Sequence, residues 1–177
     1  TAVVFGWGYI SWMVLPWHDV TIHQFTDEDA VAEVLKANAP QQGMYMLPYT
    51  AEKSEEAHQA VYEKRAIGPA FYGSVRPGPM KNPGEGMKQN FTRQIVTILV
   101  CSVMMGILLW LARIRYFMIR LIYVVIVALF AGIAVYVPLW NWFEFSTKST
   151  LVNIADLVMG WTLGGVVLAA LIQPRRD

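Results

Sequence analysis

Four long apolar stretches constrain this chain more than any other feature: roughly Ala2 to Trp17, Gln94 to Ala112, Leu121 to Trp140 and Leu151 to Ile172. Each is close to the ~20 residues with which an α-helix crosses about 30 Å of hydrocarbon. The composition agrees, since 55% hydrophobic and 15% charged residues are too apolar for a water-soluble domain of 177 residues. The expectation is an α-helical integral membrane protein, a four-helix transmembrane bundle in contact with the lipid bilayer. A net charge of +1 gives no reason to expect a nucleic-acid partner, and the single cysteine, Cys101, excludes an intrachain disulfide.

Basic residues in short loops set the orientation, because translocating Lys or Arg is disfavoured. Arg113, Arg115 and Arg120 cluster between the second and third stretches, and Arg175 and Arg176 follow the fourth. These ends, and with them both termini, are expected to be cytoplasmic in a bacterial plasma membrane. The segment from His18 to Thr92 has more acids than bases and is expected to be extracytoplasmic. Trp17, Trp140 and Trp142 would mark one headgroup interface, and Trp110 with Tyr116 the other. The first stretch lacks a charged lead and a small-residue cleavage site before Trp17, so it reads as a retained anchor rather than a signal peptide. The chain thus divides into a first span (1–17), an insertion (18–92) and a three-helix region (93–177).

The insertion is the one region with the punctuation of a soluble protein. Thr26, followed by Asp27, Glu28 and Asp29, starts a helix that Pro40 ends. Thr50 or Ser54 caps a second helix that runs to about Ala66 and stops at Gly68-Pro69. Met44 to Leu47 and Phe71 to Val75 read as short strands, giving a β-α-β or hairpin-like α/β arrangement, with an all-α or partly disordered loop as the alternatives. Arg76 through Gly84 reads as an irregular return to the membrane. With thin apolar faces and no disulfide, about 75 residues make a marginal independent fold.

Within the membrane, small residues recur at four-residue spacing: Ser102 and Gly106, Ala128 and Gly132, Gly160 and Gly164. Such pairs let helix backbones approach closely where lipid offers no hydrophobic contrast. A left-handed antiparallel bundle is expected from the short turn between the second and third spans.

Asp156 is the ionisable residue to weigh, about five residues or ~8 Å into the fourth stretch. Asn153, Asp156, Gly160 and Gly164 share one helical face, so the carboxyl should point into the bundle. One reading is a proton or cation site near the outer surface. The favoured one is a structural carboxyl, hydrogen-bonded to a Trp or Tyr from a neighbouring span or reached by headgroup water, because one carboxylate without an intramembrane base makes no relay. His18 beside Asp19 could complete an outer-surface polar site with Glu144, Asn153 and Asp156. Histidines at 18, 23 and 58 have neither the spacing of a metal site nor the mid-bilayer depth of paired haem ligands, so no metal or cofactor is expected. A phosphate loop and a serine-nucleophile motif are also missing from the sequence.

The pattern of Trp7 to Ser11-Trp12, Leu15 and His18, then Gly43-Met44-Tyr45-Met46-Leu47-Pro48, Trp142-Phe143-Glu144, and Asp156 with Trp161 resembles a family of bacterial four-span inner-membrane proteins with no assigned function. The resemblance covers nearly the whole length and implies topology and location only. It singles out Trp12, His18, Tyr45, Pro48, Glu144 and Asp156. Two classes of function are expected to compete: a non-catalytic accessory or structural subunit of a larger membrane complex, of which an energy-converting one (photosynthetic or respiratory) is an example, and a small transporter or intramembrane enzyme working through Asp156. The partners expected for the first class are other membrane protein subunits.

Overall fold

A computed structural model describes residues 1–79 and 82–173. The chain is mostly helical and forms two compact units, one from residues 1–23 and 82 onward, the other from Gln24–Lys81. Arg175 and Arg176, on which part of the expected orientation rests, lie outside the described residues.

Among the described residues the first unit holds four α-helices: α1 (Ala2–Met13), α4 (Pro83–Ala112), α5 (Phe117–Phe143) and α6 (Thr147–Leu171). Three of them, α4 to α6, are long and apolar enough to cross a membrane. At 12 residues, α1 is ~18 Å long, so the expected helix from Ala2 to Trp17 is corrected to a shorter one. Pro16 explains the early end, since it has no N–H to donate and biases Leu15 away from helical geometry. The other correction is in α4, which starts at Pro83, well before the apolar run, where an irregular return was expected. Proline in the first turn suits a helix start, and the polar turns from Glu85 to Arg93 continue into the span without a break.

α5 and α6 form the packed centre. Val124 and Ala128 of α5 are buried, and a Cβ on Gly165 of α6 would stand 2.9 Å from Val124 Cγ1. Close approach at that point therefore requires glycine. A Cβ on Gly132 would meet Ile154 at 3.3 Å, which places this small residue of α5 against α6 as well. Met105 and Leu109 of α4 close the cluster around Val124, joined by Trp161, Leu168 and Ile172. Gly106 faces Ile172, and Ser102 donates to the Ile98 carbonyl of its own helix at 2.7 Å. α4 and α5 end in left-handed residues, Arg113 at φ 50° and Glu144 at φ 57°, from which the short connections to the next helix start.

α1 lies along α6. Ideal Cβ atoms on Gly164 and Gly160 would meet Val4 and Trp7 respectively, so ascending positions on α1 meet descending ones on α6. The two helices are antiparallel, and the Gly160/Gly164 stripe is covered by α1.

The second unit contains α2 (Glu28–Asn38), β1 (Gly43–Leu47), α3 (Glu55–Ile67) and β2 (Phe71–Val75). Asp27, one residue after the expected Thr26, caps α2 by accepting the Ala30 N–H at 2.9 Å. Ser54 rather than Thr50 caps α3, accepting from Ala57 N at 3.2 Å. α3 ends at Gly68, whose φ of 77° suits a residue without a Cβ. β1 and β2 pair antiparallel with Leu47 opposite Phe71, so the hairpin-like arrangement is the one adopted, with α3 as its connection. Ala39, Pro48 and Val75 are buried here, while Val34, Met44, Leu47, Tyr49, Tyr62 and Ile67 are exposed. The core of this unit is thin.

Candidate polar site between α1 and α6

The end of α1 builds this site because its backbone stops obeying helical bonding. Val14 N and Leu15 N both donate to Ile10 O, each at 3.0 Å, which frees the Ser11 carbonyl from its usual partner. The turn through Pro16 brings Trp17 back, and its Nε1–H lies 3.1 Å from Ser11 O and 3.0 Å from Ser11 Oγ. His18 follows into the same space, with Nε2 3.1 Å from Ser11 Oγ. Its ring stacks on Trp12 with centroids 3.8 Å apart and planes 10° apart, and meets Trp17 edge-on at 5.6 Å. Ser11 and His18 are 0% and 2% exposed. The Trp12 and Trp17 indoles flank the polar groups of this non-helical turn.

Asp156 supplies the opposite wall. Trp7 Nε1–H donates to its Oδ1 at 2.6 Å and lies 3.2 Å from its backbone carbonyl. Its Oδ2 stands 3.6 Å from His18 Nε2. Both carboxylate oxygens thus face N–H-bearing rings from α1 and the following turn, and the side chain is 18% exposed. Tyr136 of α5 lies close enough to Asp156 to sense its charge.

Of the residues expected to form one polar site, His18 and Asp156 meet. Asn153 instead bonds back along its own helix, to Ser149 O at 2.7 Å and Ser149 Oγ at 3.2 Å. Asp19 is exposed at the start of a short 3-10 turn, and Glu144 is exposed at the left-handed end of α5. Neither side chain takes part in the contacts around Asp156 described above. Tyr45 donates its hydroxyl to Gln41 O at 2.8 Å and Pro48 is buried, both within the second unit. Trp7, Ser11 and Trp17 were not expected as site residues. Trp7 and Ser11 stand four apart on one face of α1, a spacing that signals a shared polar stripe once Asp156 is sought a partner.

Serine, histidine and aspartate suggest nucleophilic catalysis, but the connections are wrong for it. A triad needs the serine on one imidazole nitrogen and the carboxylate on the other. Here Ser11 and Asp156 both approach Nε2. Ser11 Oγ also accepts a hydrogen from Trp17 and is closed to any substrate. What the geometry does provide is a hydrogen bond from Trp7 of α1 to Oδ1 of Asp156 on α6. Among the described residues, no group of three His, Cys, Asp or Glu side chains is placed to hold a metal ion.

A second buried polar anchor lies at the other end of α6. Arg120, 5% exposed, donates from Nε to Ala169 O at 2.8 Å and from Nη1 to Ile114 O at 3.0 Å and Arg115 O at 2.8 Å. Rather than facing water as a loop charge, it ties the α4–α5 connection to the last turn of α6. A cation there also complements the negative end of the helix dipole.

Compared with known proteins, the chain matches no protein-family model, no curated protein and no solved structure.

Proposed function

We propose that this chain is a non-catalytic structural or accessory subunit of a larger membrane assembly in a bacterial plasma membrane. In this reading α1 is a fourth membrane-inserted helix, both chain ends are cytoplasmic, and the 18–92 region is extracytoplasmic. The observation that carries it is the state of Asp156: its Oδ1 accepts the Trp7 Nε1 hydrogen at 2.6 Å, its Oδ2 faces His18 Nε2 at 3.6 Å, and the adjacent serine is buried. An intramembrane carboxylate is a functional site by default, and here its Oδ1 joins α6 to Trp7 of α1. The second unit supports the same reading, because its few buried residues and many exposed apolar ones suit a module that rests on something else. An energy-converting complex, photosynthetic or respiratory, is one class of host.

Purification from native membranes in mild detergent, without crosslinker, tests this. A stoichiometric membrane-protein partner that remains bound to Asp156→Asn is the expected result. A solitary protein that loses an ion- or pH-dependent transport activity in Asp156→Asn, while keeping its fold, would establish the transporter or enzyme reading instead.

A further inference from the structure

The connection between α4 and α5 carries cations that meet no carboxylate. Arg113 and Arg115 are exposed on it, and Arg120 is buried beneath it. Between Glu85 and Glu144 the sequence contains no Asp or Glu, and among the described residues none of the three guanidiniums pairs with an acid. Buried arginine is ordinarily paired, so this excess of positive charge favours an anion from outside the chain. Arg120 also shapes the surface that an anion would meet. It draws in the carbonyls of Ile114 and Arg115, at 3.0 and 2.8 Å. In a trans peptide the N–H points opposite to the C=O, so the N–H groups of Arg115 and Tyr116 are directed away from that buried guanidinium. The first N–H groups of α5 have no acceptor within the helix, and its N-cap Tyr116 supplies none.

We propose that this connection binds the phosphate of an anionic phospholipid, with Arg113 and Arg115 gripping it and Arg120 positioning the loop. The depth of the loop selects a lipid over a soluble anion or an acidic protein. α4 is apolar up to Ala112 and α5 from Phe117, so residues 113–116 alone leave the hydrocarbon. Going out and back at ~3.5 Å per residue, they rise no more than about 7 Å. The headgroup layer on each side of a bilayer is about 5–7 Å thick, so the arginines stay among the lipid phosphates. Trp110 and Tyr116, both exposed, flank the loop and are the side-chain types favoured at that level. A guanidinium there can meet a phosphate through two parallel hydrogen bonds. The inference needs α4 and α5 to be spans; it rests neither on the orientation nor on the subunit reading.

Native mass spectrometry of the full chain in detergent at low ionic strength, with phosphatidylglycerol or phosphatidylcholine added, tests this. An arginine near the membrane surface contributes about fivefold, so two should favour phosphatidylglycerol by roughly 25-fold. Arg113→Gln combined with Arg115→Gln should abolish the preference, and the corresponding pair of Lys substitutions should keep part of it. Lys148→Gln, at the opposite end of α6, should keep all of it. Equal retention of the two lipids by the unmodified protein, a result that needs no variant to fold, would overturn the proposal. So would a preference that persists in the double Gln variant. Inorganic phosphate that displaces the lipid, with the same dependence on Arg113 and Arg115, would assign the loop to a soluble anion instead. A protein partner lost from the double Gln variant while lipid retention is unchanged would assign it to a protein contact. Because the readout is bound lipid, this outcome is separate from whether a partner co-purifies with the unmodified chain.

Discussion

Replacing Gly160 by alanine should destabilise the protein, although alanine is the better helix former. A Cβ at this position would lie 2.8 Å from Cδ1 of Trp7. An ordinary carbon–carbon contact of about 3.6 Å is about 0.8 Å longer. Trp7 cannot swing away freely, because its Nε1 is bonded to Asp156 Oδ1 at 2.6 Å and its ring meets Trp17 edge-on at 5.9 Å. The strain therefore either moves α1 off α6 or lengthens a hydrogen bond to a charged group. Overpacking of this kind costs about 1–3 kcal/mol, and weakening the bond to the carboxylate adds up to about 1.5 kcal/mol. The helix-propensity gain of alanine over glycine returns about 1 kcal/mol. The net expectation is a loss of up to about 3.5 kcal/mol, measured by reversible unfolding in mixed micelles with tryptophan fluorescence. Gly8→Ala is the internal control: its Cβ would meet nothing within 4 Å, so it should be neutral or stabilising by up to about 1 kcal/mol. If Gly160→Ala is as stable as Gly8→Ala, the packing of α1 on α6 described above is wrong.

Glu144→Gly should stabilise by about 0.5–1 kcal/mol, since φ at this exposed residue is 57°; a loss in thermal unfolding would show that the carboxylate has a partner. Arg120→Met should cost about 3 kcal/mol by leaving the Ala169, Ile114 and Arg115 carbonyls short of a donor, and Arg120→Lys should recover only part of that, because an ammonium cannot span the same fork. For topology, with Cys101 replaced, a membrane-impermeant thiol reagent added to intact cells should label Ser54→Cys and not Arg115→Cys; the reverse pattern would invert the proposed orientation.

What the sequence made readable, and what it did not, divides along physical lines. Hydropathy finds where lipid is tolerated, so the three long spans were legible, but it cannot see a helix that continues into water. Hence α4 begins at Pro83 rather than near Gln94. Proline chemistry at Pro16 outweighed the apolar run that continued past it, which is why α1 stops at Met13. Turn and cap signals are local, and they placed α2, α3 and both strands to within a residue or two. The partner of Asp156 depended on a contact 149 positions away in sequence. The chemistry of the residue type suggested an indole or phenol, but only the fold could choose Trp7. Arg120 was read by its charge as a loop residue. Its position at a four-residue step before Val124, Ala128 and Gly132 carried the opposite information, that it begins the buried stripe of α5.

The most direct test of the central claim, that Asp156 joins α1 to α6, is a double-mutant cycle between Trp7→Phe and Asp156→Leu, measured by unfolding in mixed micelles. Trp7→Phe keeps a ring against Gly160 and removes the N–H that lies 2.6 Å from the carboxylate. The expected coupling is about 1.5–3 kcal/mol, the range for a hydrogen bond to a charged group. Additive losses, with coupling inside about 0.5 kcal/mol of zero, would contradict it.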